Sequence, residues 1–231
     1  YFMVGAVNDI TDLKQHEDML NVLAYHDILT GLPNRMLFFD KLGHTVRQAT
    51  QNDGKFAVLF IDLDNFKRVN DSQGHFAGDA LIEEVALRLK NSIDDRHILG
   101  RFGGDEFALA IKDIDSADDV LEVVQNIKRC LHEPFEIGGR KVLVNASFGI
   151  AIFPKDGEEP AELIRNADTA MYRAKDLGKN HVQFFEKSME EEIVRKTELE
   201  YKLKNAILDE EMFLLFKPQI VISSGEIRGF E

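Results

Sequence analysis

The hydrophobic positions change period several times along this chain. Phe56 to Ile61 (FAVLFI) is a continuous apolar run, which suits a central strand buried on both faces. Leu81, Ile82, Val85, Ala86 and Leu89 recur at helical spacing and predict an amphipathic helix; so do Val120, Val124, Ile127 and Leu131 within Ala117–Leu131. Further helices are expected over about Arg35–Ala49, after the breaker cluster Thr30-Gly31-Leu32-Pro33-Asn34, and over Glu162–Leu177. Short strands are expected at His97–Phe102 and Phe107–Ile111, joined through Gly103-Gly104-Asp105-Glu106. A strand at Lys141–Phe153 follows a hairpin turn at Gly138-Gly139, and another lies at His181–Phe185. The stretch from Asp62 to Gly78 is polar. The unit from about Asp27 to Glu186 therefore reads as an α/β sandwich, with helices covering a mostly antiparallel sheet.

The flanks have a different character. Phe2–Val7 is strand-like, and Thr11–Tyr25 is helical with Leu13, Leu20 and Leu23 at coiled-coil-like spacing. Met189–Leu208 is a charged helix in which Glu191/Arg195, Glu192/Lys196, Glu198/Lys202 and Glu200/Lys204 stand four apart, as in a solvated connector. The runs Phe213–Phe216, Ile220–Ile222 and Ile227–Phe230 read as a hairpin around Ser223-Ser224-Gly225.

Charge narrows the possible partners. The 231 residues carry 28 Lys and Arg against 41 Asp and Glu, a formal charge of −13. Such a chain repels nucleic acid polymers and anionic membranes, so a phosphate-rich ligand needs divalent cations or a few well-placed lysines. No apolar run approaches a membrane span. The lone Cys130 forbids an internal disulfide and suits a reducing cytosol, so a cytoplasmic setting is expected. The chain starts without Met and stops in a strand-like run, and it reads as an excised fragment.

Four constellations carry candidate chemistry. Asp62-Leu63-Asp64-Asn65-Phe66-Lys67 ends the apolar strand, where a carboxylate has a rigid base and an exposed tip suited to a divalent ion. The plain alternative is a helix N-cap. A calcium loop fails on Phe66, Lys67 and Gln73, which stand where ligands and a glycine belong. The second constellation is the Gly103–Glu106 turn, whose adjacent carboxylates repel each other unless a cation sits between them. If that hairpin lies beside the apolar strand, Asp62 and Asp105 share metal, with the Leu63 carbonyl completing the shell. The third is Asn70 with Gly74-His75 and Gly78-Asp79. An amide and a carboxylate facing one pocket can read guanine, although such a stretch is also an ordinary turn. The fourth is Lys175 and Lys179 near the end of a helix, suited either to the helix dipole or to a triphosphate.

Together these stretches resemble the GGDEF family of diguanylate cyclases. The resemblance rests on His26-Asp27-Ile28-Leu29-Thr30-Gly31-Leu32-Pro33-Asn34-Arg35, on Phe60 to Lys67, on Asn70-Asp71, Gly74-His75 and Gly78-Asp79, and on Arg101 to Phe107. It continues through Ala167-Asp168, Met171 to Lys175 and Gly178 to Asn180. It implies a five-stranded, polymerase-palm-like sheet and condensation of two GTP into cyclic di-GMP with release of pyrophosphate, by a homodimer with one nucleotide per subunit. Carried over by position, Asp62, the Leu63 carbonyl and Asp105 bind Mg²⁺ or Mn²⁺. Asn70 and Asp79 read guanine with His75 nearby. The amides around Phe66 and Lys67, with Lys175 and Lys179, hold phosphates. Asp105 and Glu106 are both candidates to deprotonate the 3′-hydroxyl. Lys179 stands where the family more often has Arg, which keeps the charge and loses the bidentate fork.

Many relatives also carry an Arg-x-x-Asp product-inhibition site, whose two end positions here hold Asp94 and His97. Little feedback inhibition is therefore expected through that surface. Tyr1–Leu20 resembles the end of a PAS sensor and its exit helix, and Phe213–Glu231 the opening of an EAL phosphodiesterase domain. The implied organisation is a PAS remnant at 1–11, a signalling helix at 12–25, the GGDEF domain at 26–186, a connector at 187–210 and a truncated EAL start at 211–231. The fragment is not expected to hydrolyse cyclic di-GMP. The competing reading is a catalytically weak, GTP-binding GGDEF domain that regulates a downstream EAL phosphodiesterase.

Overall fold

A computed structural model describes residue 19 and residues 22–208 and 215–231. The chain divides into two compact units, the first ending at Glu186 and the second beginning at Lys187. In order, the first unit contains α1 (Arg35–Asn52), β1 (Phe56–Asp64), α2 (Phe66–Gln73), α3 (His75–Asn91), β2 (Ile98–Gly103) and β3 (Glu106–Lys112). Then come α4 (Ala117–His132), β4 (Phe135–Ile137), β5 (Arg140–Val142), β6 (Asn145–Phe153), α5 (Pro160–Asp176) and β7 (Val182–Phe184). A helical stretch at 22–25 precedes them.

The main sheet has the order β2-β3-β1-β6-β7. Its pairings are antiparallel except β6 with β7, so the expected mostly antiparallel, five-stranded sheet flanked by helices is what forms. β1 lies at the centre, and all nine of its residues are buried. Because side chains alternate along a strand, Ala57, Leu59, Ile61 and Leu63 meet the apolar faces of α3 and α4 in one cluster. Phe60, Asp62 and Asp64 point to the opposite face, on which α5 packs. Gly149 of β6, which pairs with Phe60, explains how closely α5 approaches. A Cβ there would stand 2.0 Å from the Ala167 carbonyl oxygen and 2.1 Å from the Met171 nitrogen. Only glycine leaves room for the α5 backbone.

Three sequence expectations change. The polar stretch after β1 contains a helix, α2. Asp62 and Asp64 belong to β1 itself, since its hydrogen-bonded register with β6 runs to Asp64↔Asn145. The single strand expected over Lys141–Phe153 is two, because β5 ends at Val142 in a separate hairpin with β4 and β6 starts at Asn145.

The second unit holds α6 (Lys187–Leu208) and an antiparallel hairpin of β8 (Pro218–Ile220) with β9 (Ile227–Phe230). The strand expected at Phe2–Val7 and most of the helix expected at Thr11–Tyr25 lie outside the described residues. Among the described residues, no helix is long and apolar enough to cross a membrane.

Candidate functional site

The site begins with the register of β1 and β3. Asp62 is paired directly with Glu106, which puts their side chains on the same face within a few ångströms of each other. Between β2 and β3 the chain turns at Gly103 and Gly104, with φ of 134° and 54°. These left-handed values suit glycine and hold Asp105 at the tip. The Leu63 N–H donates to the Asp105 carbonyl at 3.2 Å, so the acidic tip is fastened to the end of the central strand.

Arg101 braces that turn. Its Nε and Nη2 donate to the Gly104 carbonyl at 3.2 and 2.8 Å, and its Nη1 donates to Asp27 Oδ1 at 2.8 Å. Asp27 Oδ1 also accepts from the Thr30 N–H and hydroxyl. Burial pushes the Asp27 carboxyl up, but the hydrogen bonds from Thr30 and Arg101 outweigh it, and the net shift is downward. Both residues fall in the family-like motifs, yet neither was assigned a role from sequence. An Arg two residues before a Gly-Gly turn and an Asp three before a Thr were the available signals.

The charges are crowded. Asp62 is 5% exposed, and Lys175 of α5 reaches it, with Nζ 2.6 Å from Oδ2. Burial is the largest influence on Asp62; Asp105 and Glu106 add to it, Lys175 opposes, and the carboxyl is raised from 3.8 to about 6. Glu106 is also raised, by burial first and then by Asp168 and Asp105. Asp168 of α5 is raised by desolvation, against the pull of Lys175, although its tip reaches solvent. Lys175, with Arg35 acting on Glu106, thus opposes a group of carboxylates, and Asp168 is a member that sequence reasoning passed over.

No group of three or more His, Cys, Asp or Glu side chains is arranged to hold a metal ion among the described residues. The donor chemistry nevertheless fits a hard divalent ion of the Mg²⁺ type, which takes one or two carboxylates and completes its shell with substrate phosphates and water. Asp62 and Asp105 are the carboxylates available for it, and like-charge crowding of this kind is what a cation relieves.

The remaining candidates lie around α2. Its N-cap residue, Asn65, is left-handed with φ 61° and makes no capping side-chain bond. Lys179 instead donates to Asn65 Oδ1 at 2.8 Å, which places it beside Phe66 and the exposed Lys67. Asn70 packs against Gly78, where a Cβ would come within 1.9 Å of its Oδ1. That oxygen is the single buried side-chain polar atom without a hydrogen-bond partner among the described residues. Such orphans are rare in native proteins, and this one is covered by the Gly78 backbone. His75 and Asp79 are exposed on α3. Asp64 is no metal-facing twin of Asp62, for Ser147 Oγ and the Asn180 N–H both donate to it. At the other family position, His97 Nδ1 accepts from the Lys112 N–H, and Asp94 pairs with Arg96.

Comparison with known proteins agrees with this geometry. A family profile described as diguanylate cyclase, GGDEF domain, matches residues 24–181. The chain is 41% identical over 221 residues to the bifunctional diguanylate cyclase/cyclic di-GMP phosphodiesterase MucR of Pseudomonas aeruginosa, covering 96% of this chain and 32% of that protein. It is 35% identical over 230 residues to the cyclic di-GMP phosphodiesterase PdeR of Escherichia coli, covering 100% and 34%. The chain therefore spans about a third of the length of these relatives. Among solved structures, the isolated GGDEF domain of TpbB (YfiN) from Pseudomonas aeruginosa superposes with a TM-score of 0.71 at 35% identity, covering 73% of this chain and 99% of that one. The coiled coil and GGDEF domain of DgcB from Caulobacter crescentus, in complex with c-di-GMP, gives 0.69 at 26% identity, covering 76% and 93%. With the acidic tip docked on the central strand and the profile covering most of the chain, this protein belongs to the GGDEF family of diguanylate cyclase domains.

Proposed function

We propose that the chain is an active diguanylate cyclase, condensing two GTP into cyclic di-GMP with release of pyrophosphate. The observation that carries this reading is the acidic tip fastened to β1, with Asp62, Glu106 and Lys175 converging beside it. Asp62, the Leu63 carbonyl and Asp105 would hold Mg²⁺ or Mn²⁺. Bound there, the ion neutralises triphosphate charge and polarises the α-phosphate. Lys175 and Lys179, with the amides around Phe66 and Lys67 at the uncapped start of α2, bind phosphate oxygens. Asn70 offers its side-chain amide to the guanine edge, Asp79 accepts from it, and His75 borders that pocket.

The reaction needs a proton acceptor. The 3′-hydroxyl oxygen of one GTP bonds to the α-phosphorus of the other, the bond to pyrophosphate breaks, and the hydroxyl proton passes to a carboxylate. Asp105 and Glu106 are both candidates for this. Since each subunit holds one nucleotide, two copies meet face to face, and the bond-forming event occurs twice per product.

A second reading is favoured by the likeness to PdeR, a protein named as a phosphodiesterase. In that reading the domain binds GTP to regulate an EAL phosphodiesterase, which the hairpin β8–β9 would begin. The terminal segment at 1–11 is read as the end of a PAS sensor, with a signalling helix after it, in a cytoplasmic protein. Incubation with GTP and Mg²⁺ over a range of protein concentrations, with products resolved chromatographically, tests the two. Cyclic di-GMP formed by the chain and lost in Asp105→Ala supports the cyclase. GTP binding without product at any concentration supports the regulatory domain, and absence of GTP binding rejects both.

A further inference from the structure

Two neighbouring residues at the end of β1 grip two neighbouring residues of the turn between α5 and β7. Asp64 is 8% exposed, and both of its carboxylate oxygens are engaged. Oδ1 accepts from Ser147 Oγ at 2.8 Å, and Oδ2 accepts from the Asn180 N–H at 2.8 Å. Asn65 accepts from Lys179 Nζ, also at 2.8 Å. The gripped turn is one that L-residues adopt reluctantly. Gly178, Lys179 and Asn180 have φ of 118°, 67° and 52°, and two successive non-glycine residues in left-handed conformation persist only where the surroundings hold them. Lys128 Nζ adds a bond to the Asn180 carbonyl at 3.0 Å, but from the solvent side. The buried restraint is Asp64.

We propose that Asp64 is a positioning residue for the triphosphate: its carboxylate latches the 178–180 turn to β1 and so delivers Lys179 to the start of α2. This rests on the reading of Lys179 as a phosphate-binding group. It separates the two acidic residues of the Asp62–Asp64 pair, one directed at the ligand and the other at the backbone that carries a ligand-binding side chain. A carboxylate suits the task because it accepts from Ser147 and Asn180 at once. An asparagine retains the latch, its oxygen accepting from the Asn180 N–H while its amide donates to the Ser147 hydroxyl. An alanine leaves the Asn180 N–H unpaired and frees the turn.

The test compares Asp64→Ala and Asp64→Asn in the full chain, by calorimetric titration with GTP and with guanosine and by timed trypsin digestion. Lys179 is itself a trypsin site, so cleavage after it reports the latch without any nucleotide. Asp64→Ala is expected to bind GTP about tenfold more weakly, the loss of one charge-assisted contact, while its guanosine affinity stays unchanged. It is also expected to be cut faster after Lys179, with Asp64→Asn matching the wild type in every measurement. Should Asp64→Ala not fold, Ser147→Ala, which removes one of the two donors, takes its place in the digestion. Wild-type GTP affinity in Asp64→Ala, a parallel loss of guanosine binding, unchanged cleavage after Lys179, or an Asp64→Asn variant as impaired as the alanine would each overturn the latch. A wild type that binds no GTP defeats the proposed function instead, and the digestion still decides the latch.

Discussion

Replacing Asp62 with Asn is expected to stabilise the metal-free protein while destroying its activity. In the folded chain burial and the neighbouring carboxylates raise the Asp62 carboxyl from 3.8 to about 6. The folded state therefore binds this proton more tightly than the unfolded state does. The associated stability is fully present below the unfolded value and is lost as the pH rises through about 6. Above that, the ionised side chain burdens the fold by about 3 kcal/mol, at about 1.36 kcal/mol per pH unit. Asparagine keeps the shape of the protonated acid and removes the charge; the favourable pull of Lys175 on the carboxylate is already contained in the net shift. At about 2–4 °C per kcal/mol for a chain of this size, the melting temperature near neutral pH should rise by several degrees. Melting curves of both proteins in a chelator, recorded across the acidic to neutral range, provide the assay. The gap should widen as the pH rises, and Mg²⁺ with GTP should stabilise the wild type and not Asp62→Asn. The reasoning is refuted if the variant melts no higher than the wild type at neutral pH, or if the gap is largest in acid.

Other substitutions test the supports of the site. Arg101→Ala removes the Asp27 ion pair and the two bonds to the Gly104 carbonyl; it should cost about 1.5–3 kcal/mol in urea unfolding and lower turnover more than GTP affinity. Gly149→Ala drives a methyl group into the Ala167 and Met171 backbone; a loss of at least about 1–3 kcal/mol is expected, together with weaker GTP binding as α5 carries Lys175 away. Gly78→Ala displaces the Asn70 side chain. In competition binding, its preference for GTP over ATP should fall by about tenfold or more, the penalty for losing one base-reading contact.

Much of the fold was legible because burial here follows the hydrophobic period. The run Phe56–Ile61 could only be a doubly covered strand, and the spacing of Leu81 to Leu89 could only be a helix against it. What escaped was the region where polar residues do structural work. Asp62 and Asp64 look like loop residues, yet β6 pairs with the backbone as far as Asp64, and that pairing is indifferent to side-chain polarity. The helix α2 has no buried residue to announce it. Its sequence, FKRVNDSQ, lays only the half-buried Phe66 and Val69 against the core, and Asn70 and Phe66 meet Gly78. The candidate site divides in the same way. Asp62, Asp105, Glu106 and Lys175 could be named from their chemical type. The duties of Asp27, Arg101 and Asp64 depend on partners 74, 74 and 116 positions away, and no local pattern encodes such pairings.

The guanidinium of Arg101 is a rigid plane with one edge on Asp27 and the other on the turn that carries Asp105. Asp27 directly follows the His26↔Pro33 bridge, and Asn34 fixes the helical stretch before it through the Tyr25 and Ala24 carbonyls. A twist or lift of that stretch would reach the turn through a single pair of side chains, Asp27 and Arg101. The acidic tip thus rests on two supports: the end of β1, through the Leu63 N–H, and, through Arg101 and Asp27, the segment by which the chain reaches the domain.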